Sequence, residues 1–127
     1  MDWVSMAVSA FGQSVGIQGL ALDAEGCAMF QMEPDGVLWL HDLLPSGGDD
    51  VLVILSRPVP MPAAACVRRA LQLADFRSNA AVQMQLAMRG ADLVVTVRMP
   101  RHAFMLSTLE DAIEALSDFH TRAAQVH

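Results

Sequence analysis

The chain has 127 residues, of which eight are basic, all arginine, and fourteen are acidic, giving a formal net charge of −6. That balance argues against phosphate backbones and anionic membranes as partners, and the length allows one domain with one core and no second domain. Apolar residues make up 54% of the chain and charged residues 17%, yet no apolar run approaches the ~18 residues that span a bilayer.

No basic segment followed by an apolar stretch opens the chain as a signal peptide would, so a cytoplasmic location is expected. The apolar surplus is divided in this reading between a subunit interface and a partner-binding surface. The competing reading is an Ala-, Val- and Met-rich core and nothing more.

Residues 2–16 read as a helix. Val4, Val8, Phe11 and Val15 share one face, with Trp3, Met6, Ala7 and Ala10 beside them. The polar strip of Asp2, Ser5, Ser9 and Gln13 is thin, so the helix needs two partners: its own core and a second surface. Gly16 and Gly19 end it. Residues 20–23 read as a short extended piece, and Asp23 to Gly26 as a turn. Cys27 to Met32 and Val37 to Asp42 read as two strands about a tight turn at Pro34 to Gly36. On the second, Leu38 and Leu40 share one side, and Val37, Trp39 and His41 the other.

The apolar run Val51 to Leu55 reads as a central strand covered on both faces. Pro58, Pro60 and Pro62 make a stiff connector, with Pro62 starting a helix over 63–76. In that helix Val67, Ala70, Leu71 and Ala74 form a small-residue face suited to close helix approach, as a dimer seam or against the chain's own sheet. Val82 to Met88 and Leu93 to Met99 alternate as a hairpin. Ser107 to Glu110 matches a capping box, opening a last helix with Leu109, Ile113, Leu116 and Phe119 inward. The fold class is thus α+β: a twisted antiparallel sheet with three helices in the order α-β-β-β-α-β-β-α.

Little of this carries reaction chemistry. Gly12, Ser14 and Gly16 fit the G-x-S-x-G pattern, but a nucleophile elbow needs a strand-to-helix turn and these residues read as helical. His41, His102, His120 and His127 lack ligand spacing. Cys27 and Cys66 have no CxxC context and read as buried thiols rather than a disulfide or zinc site. No catalytic residue, metal or cofactor is assigned.

One stretch does carry a resemblance. Phe11, Gly12 and Gly16, followed by Leu20, Leu22, Asp23, Gly26 and Cys27, resemble the opening of type III secretion chaperones that serve effectors. In that family a helix ends in an FGxxLG-like segment, and an L-x-L-D-x-x-G-x-C passage leads into the first full strand. Val15 stands where leucine is usual and Gln18 where proline is common. Element order, length, acidity, the proline connector and the capped last helix extend the resemblance along nearly the whole chain.

The resemblance implies a single secretion-chaperone domain over 1–127 that forms a two-fold homodimer. It implies binding of the N-terminal region of a secreted effector in extended form, with apolar anchors and strand addition at a sheet edge. The export ATPase is a further candidate partner; no nucleic acid, membrane or cofactor is implied. Val4, Val8, Phe11, Met29 and Trp39 are the candidate effector-binding residues. Val67, Ala70, Leu71 and Ala74 are the candidate dimer interface. Two other classes compete: a small dimeric α+β regulatory or adaptor domain that binds a folded signalling partner, and a serine hydrolase using Ser14.

Overall fold

A computed structural model describes residues 2–32, 35–60, 62–74 and 84–125. Helix α1 runs Trp3–Ser14. Its start is fixed by Asp2, whose carboxylate accepts the Ser5 N–H at 2.9 Å, a cap worth about 0.5–2 kcal/mol. It ends where Val15 N–H and Gly16 N–H return to Phe11 and Gln13 carbonyls and Gly16 turns to positive φ.

Strands β1 (Cys27–Met32), β2 (Gly36–Asp42) and β3 (Asp50–Pro58) follow, then α2 (Ala63–Ala74), β4 (Met84–Arg89), β5 (Asp92–Pro100) and α3 (Leu106–Ala124). The strands form one antiparallel sheet in the order β1-β2-β3-β5-β4. The α+β class and the element order expected from the sequence are those of the structure.

Period-two alternation decides the sheet's two faces. Ala28, Leu38, Leu40, Val51, Val53, Leu55, Leu93, Val95 and Val97 are buried on one face. Against them pack Val4, Val8 and Phe11 of α1, Cys66 and Ala70 of α2, and Leu109, Ile113, Leu116 and Phe119 of α3. The helices therefore cover one face and the molecule has two layers. Contrary to the expectation for Val51 to Leu55, β3 is covered on one face only: its burial alternates, with Leu52 and Ile54 half-buried on the other side.

Two further expectations shift. Residues 20–23 do not form a strand; Leu20 and Leu22 instead pack on the core as the chain turns back toward β1. The last helix begins at Leu106, not after Ser107. Thr108 is the residue that closes its first turn, accepting the Met105 N–H at 2.9 Å and donating to the Ala103 carbonyl at 2.7 Å. The helix over 63–76 is seen to Ala74, and the first hairpin strand from Met84; residues 75–76 and 82–83 lie outside the described residues.

The glycines of the Leu20 to Cys27 passage and of the helix end have steric reasons. A Cβ on Gly12 would sit 2.7 Å from Leu20 Cβ and 2.9 Å from the Ile17 carbonyl, so only glycine lets the 17–20 segment fold back onto α1. Gly26 has φ +86°, and a Cβ there would meet the Asp42 carbonyl oxygen. Its own carbonyl accepts the Asp42 N–H at 2.8 Å. Asp23 fixes the turn before it by accepting the Glu25 and Cys27 N–H groups, both at 2.9 Å.

Candidate functional site

The face of the sheet away from the helices has no layer over it among the described residues. Its central row is Met29 on β1, Trp39 on β2, Ile54 on β3, Thr96 on β5 and Gln85 on β4, paired in register across all five strands. The flanking rows are Gln31, Val37, Ser56, Val94 and Ala87 on one side, and Cys27, His41, Leu52 and Arg98 on the other. Val37, Trp39, Leu52, Ile54 and Val94 are half-buried by their neighbours, and Met29 is 66% exposed. This is a mostly apolar surface bounded by two short edge strands, β1 and β4, of six residues each.

Trp39 is its largest side chain. Its indole Nε1 is enclosed and has no acceptor among the described residues, a state that costs about 1–3 kcal/mol. The Arg89 guanidinium reaches across from β4 to lie 5.4 Å from the Trp39 ring centroid, a cation–π distance.

Of the five candidate effector-binding residues, Met29 and Trp39 stand next to each other on this open face. The other three do not join them. Val4, Val8 and Phe11 are buried on the helix side of the sheet, Phe11 against Phe30 with ring centroids 5.6 Å apart. The i, i+4, i+7 stripe of α1 is its core face. The side of α1 turned to solvent carries Trp3 and Met6, both more than half exposed.

The candidate dimer residues also divide. Ala70 is fully buried in the core. Val67 and Ala74 are half-buried, and Leu71 is 59% exposed. Ala74, at i+4 from Ala70, also packs against the core, so of the four only Leu71 is turned fully outward, with Val67 beside it at i−4.

An ionic cluster that sequence reading did not find anchors α1. Arg101, buried after β5, donates from Nε to Asp42 Oδ1 at 2.8 Å and from Nη2 to Asp42 Oδ2 at 3.1 Å. Nη2 also reaches Asp2 Oδ2 at 2.5 Å. Trp3 Nε1 donates to the Arg101 carbonyl at 2.6 Å, and the guanidinium lies over the Trp3 ring. These contacts join residues 59 to 99 positions apart, and no local pattern announces them. The hydrogen bonds that Arg101 donates to Asp42 raise the Arg101 pKa, and the Ser5 backbone N–H holds the Asp2 carboxyl below its ordinary range.

A cavity of about 500 Å³ lies where β3 runs into the proline connector, bordered by Cys66, Leu93 and the C-terminal end of α3. His120 lines it, with Nε2 2.8 Å from the Leu55 carbonyl. Burial pushes its pKa down. Arg57 and Asp35 place opposite charges in the same walls.

The remaining chemical candidates resolve simply. Ser14 ends α1 and donates to the Phe11 carbonyl at 2.8 Å, so it sits on a helix and not on the strand-to-helix turn an elbow needs. Cys27 and Cys66 are free thiols, and desolvation raises the pKa of both. Among the described residues no group of three or more His, Cys, Asp or Glu is placed to hold a metal, and no helix is long and apolar enough to cross a membrane.

No family model matches the chain, and no curated protein matches it. Solved structures do. A chain of the HopA1–SchA chaperone–effector complex superposes with a TM-score of 0.70 at 17% identity, over 98% of this chain and 94% of that one. The structure of the Yersinia pestis type III secretion chaperone SycH with a stable fragment of YscM2 gives 0.71 at 10% identity, over 98% and 99%. The heterodimeric ExoU–SpcU complex from the type III secretion system of Pseudomonas aeruginosa gives 0.61 at 18% identity, over 92% and 94%. The three-helix, five-strand architecture is thus the fold found in type III secretion chaperone complexes, over nearly the whole chain.

Proposed function

We propose that this chain is a type III secretion chaperone. It holds the N-terminal chaperone-binding region of a cognate effector in extended form in the bacterial cytoplasm, keeping it soluble and competent for export. The observation that carries the reading is the open apolar sheet face, centred on Met29 and Trp39, on a fold shared with chaperone–effector complexes. An extended segment suits such a surface. Edge strands offer main-chain hydrogen bonds that ignore client sequence, and apolar side chains choose among clients. Each buried Leu-sized anchor contributes roughly 1.5–3 kcal/mol, and a few together offset the several kcal/mol of ordering an extended segment.

The whole chain acts as one domain and works as a homodimer through the outer side of α2, centred on Leu71 with Val67 beside it. The 59% exposure of Leu71 supports that role. The protein catalyses no reaction; its task is binding, and the export ATPase is a further candidate partner.

The test is a tagged pull-down from the native bacterium under secretion-inducing conditions, with bound proteins identified by mass spectrometry. Recovery of one or a few secreted proteins, retained through their N-terminal regions, is expected. Recovery of folded regulatory proteins alone would favour the adaptor reading.

A further inference from the structure

Trp39 lies at the centre of the open face, between Met29 on β1 and Ile54 on β3. Its Nε1–H lacks an acceptor among the described residues. Arg89, itself exposed, spans from the far edge strand to place its guanidinium over the ring. Among the described residues Arg89 forms no ion pair, although Asp92 stands opposite it in the β4–β5 hairpin. The other guanidinium of this face, Arg98, is already held by Asp50 at 2.6 Å. The face therefore carries one exposed guanidinium, held over an indole ring among apolar side chains, with no carboxylate partner among the described residues.

We propose that Arg89 and Trp39 read an acidic residue of the bound client: an Asp or Glu flanked by aliphatic residues in an extended segment. The inference rests on the client-binding function proposed above and adds the client's chemistry. The carboxylate pairs with the Arg89 guanidinium, which presents several donors and need not give up its stacking on the ring. The flanking aliphatic side chains settle on Met29 and Ile54. The indole N–H is enclosed, so Trp39 contributes its ring as the platform that holds the guanidinium in place. The chain's net negative charge opposes an acidic partner at long range, but screening limits that field to about 8–10 Å at physiological salt. Selection is made at contact, where the unpaired charge is positive.

The test is a selection of random 15-residue displayed peptides on the full-length protein, run in parallel on wild type, Arg89→Glu and Trp39→Phe. Arg89 is at the surface, so its charge reversal leaves the fold in place, which thermal melting checks. Wild type is expected to enrich peptides with Asp or Glu beside Leu, Ile or Val. Arg89→Glu is expected to enrich Lys or Arg at that position and to bind a wild-type-selected peptide at least tenfold more weakly. Trp39→Phe should keep the acidic preference and weaken the same peptide severalfold.

Wild-type binders without acidic enrichment, or an unchanged motif from Arg89→Glu, would overturn the inference while leaving client binding intact. No binders to any variant would remove both. Conversion of a wild-type dimer to monomer by Arg89→Glu, seen in sedimentation, would mean that a second copy covers the face, and the inference would fall.

Discussion

Arg101 shows how much of this fold rests on single side chains. Its guanidinium is held by Asp42 and Asp2 at once, and its own carbonyl holds Trp3. Truncation to Ala leaves the Asp42 carboxylate buried without its counter-charge, a loss expected to cost about 3–5 kcal/mol. Chemical denaturation should show that loss, whereas Arg122→Ala, at an exposed i, i+4 pair with Asp118, should change stability by well under 1 kcal/mol. Equal effects would mean that the Arg101 cluster is not a structural anchor.

His120 makes a second prediction with a definite sign. Its folded pKa lies below the ordinary 6.5 because burial disfavours the cation. The unfolded chain therefore binds the proton more readily. The contribution of His120 is complete above pH 6.5 and is lost as pH falls from 6.5 toward the depressed folded value. Urea midpoints should decline between pH 7.5 and 5.5 in wild type. In His120→Gln, which keeps an N–H for the Leu55 carbonyl, they should decline less. Parallel profiles would assign the pH dependence to other groups.

Among the elements, α1 and β3 show where sequence patterns stop. The stripe Val4, Val8 and Phe11 marks a face that must be packed. Spacing alone does not say whether it packs on the chain's own sheet or on a partner, and the sheet takes it. Likewise the apolar run of β3 is continuous in sequence, yet one face meets helices and the other does not, because the connections place all three helices on the same side. The hairpins were legible because their alternation coincides with the observed strands; Pro34 of the first expected turn lies outside the described residues. Met29 and Trp39 could be placed on a common surface from sequence, whereas Arg89 could not, since its approach to Trp39 depends on tertiary geometry across the sheet.

Two substitutions check this division. Val8→Asp puts a carboxylate into a position 1% exposed and should destabilise by more than about 4 kcal/mol, as an unpaired buried charge does. Met29→Asp, on the open face, should leave the melting temperature nearly unchanged while weakening client binding. Gly26→Ala forces a side chain onto positive φ against the Asp42 carbonyl; a loss of about 1–3 kcal/mol is expected in denaturant unfolding. A neutral result would mean that the 23–27 turn is free to rearrange.

For the whole molecule, the two-layer plan explains the apolar surplus seen in the composition. Helices cover one sheet face, and among the described residues the surplus on the other face and along α2 has no layer over it. If α2 forms the proposed dimer seam, Leu71→Arg shifts sedimentation from dimer toward monomer without loss of secondary structure; an unchanged dimer would remove α2 from the interface. The opening passage from Phe11 to Cys27 carries the resemblance because its residues shape a chain reversal. Gly12 admits the returning segment, Asp23 fixes the turn, and Gly26 lets β1 begin beside the end of β2. These requirements belong to the fold and do not specify a client.

The central claim is that an extended segment of a secreted protein lies on the open sheet face. Hydrogen–deuterium exchange of the full chain, alone and with the N-terminal segment of a recovered client, tests it most directly. Added protection is expected in β1 and β2 around Met29 and Trp39 and at the β1 edge, with α3 unchanged. Protection confined to α2, or none in the sheet, would contradict it.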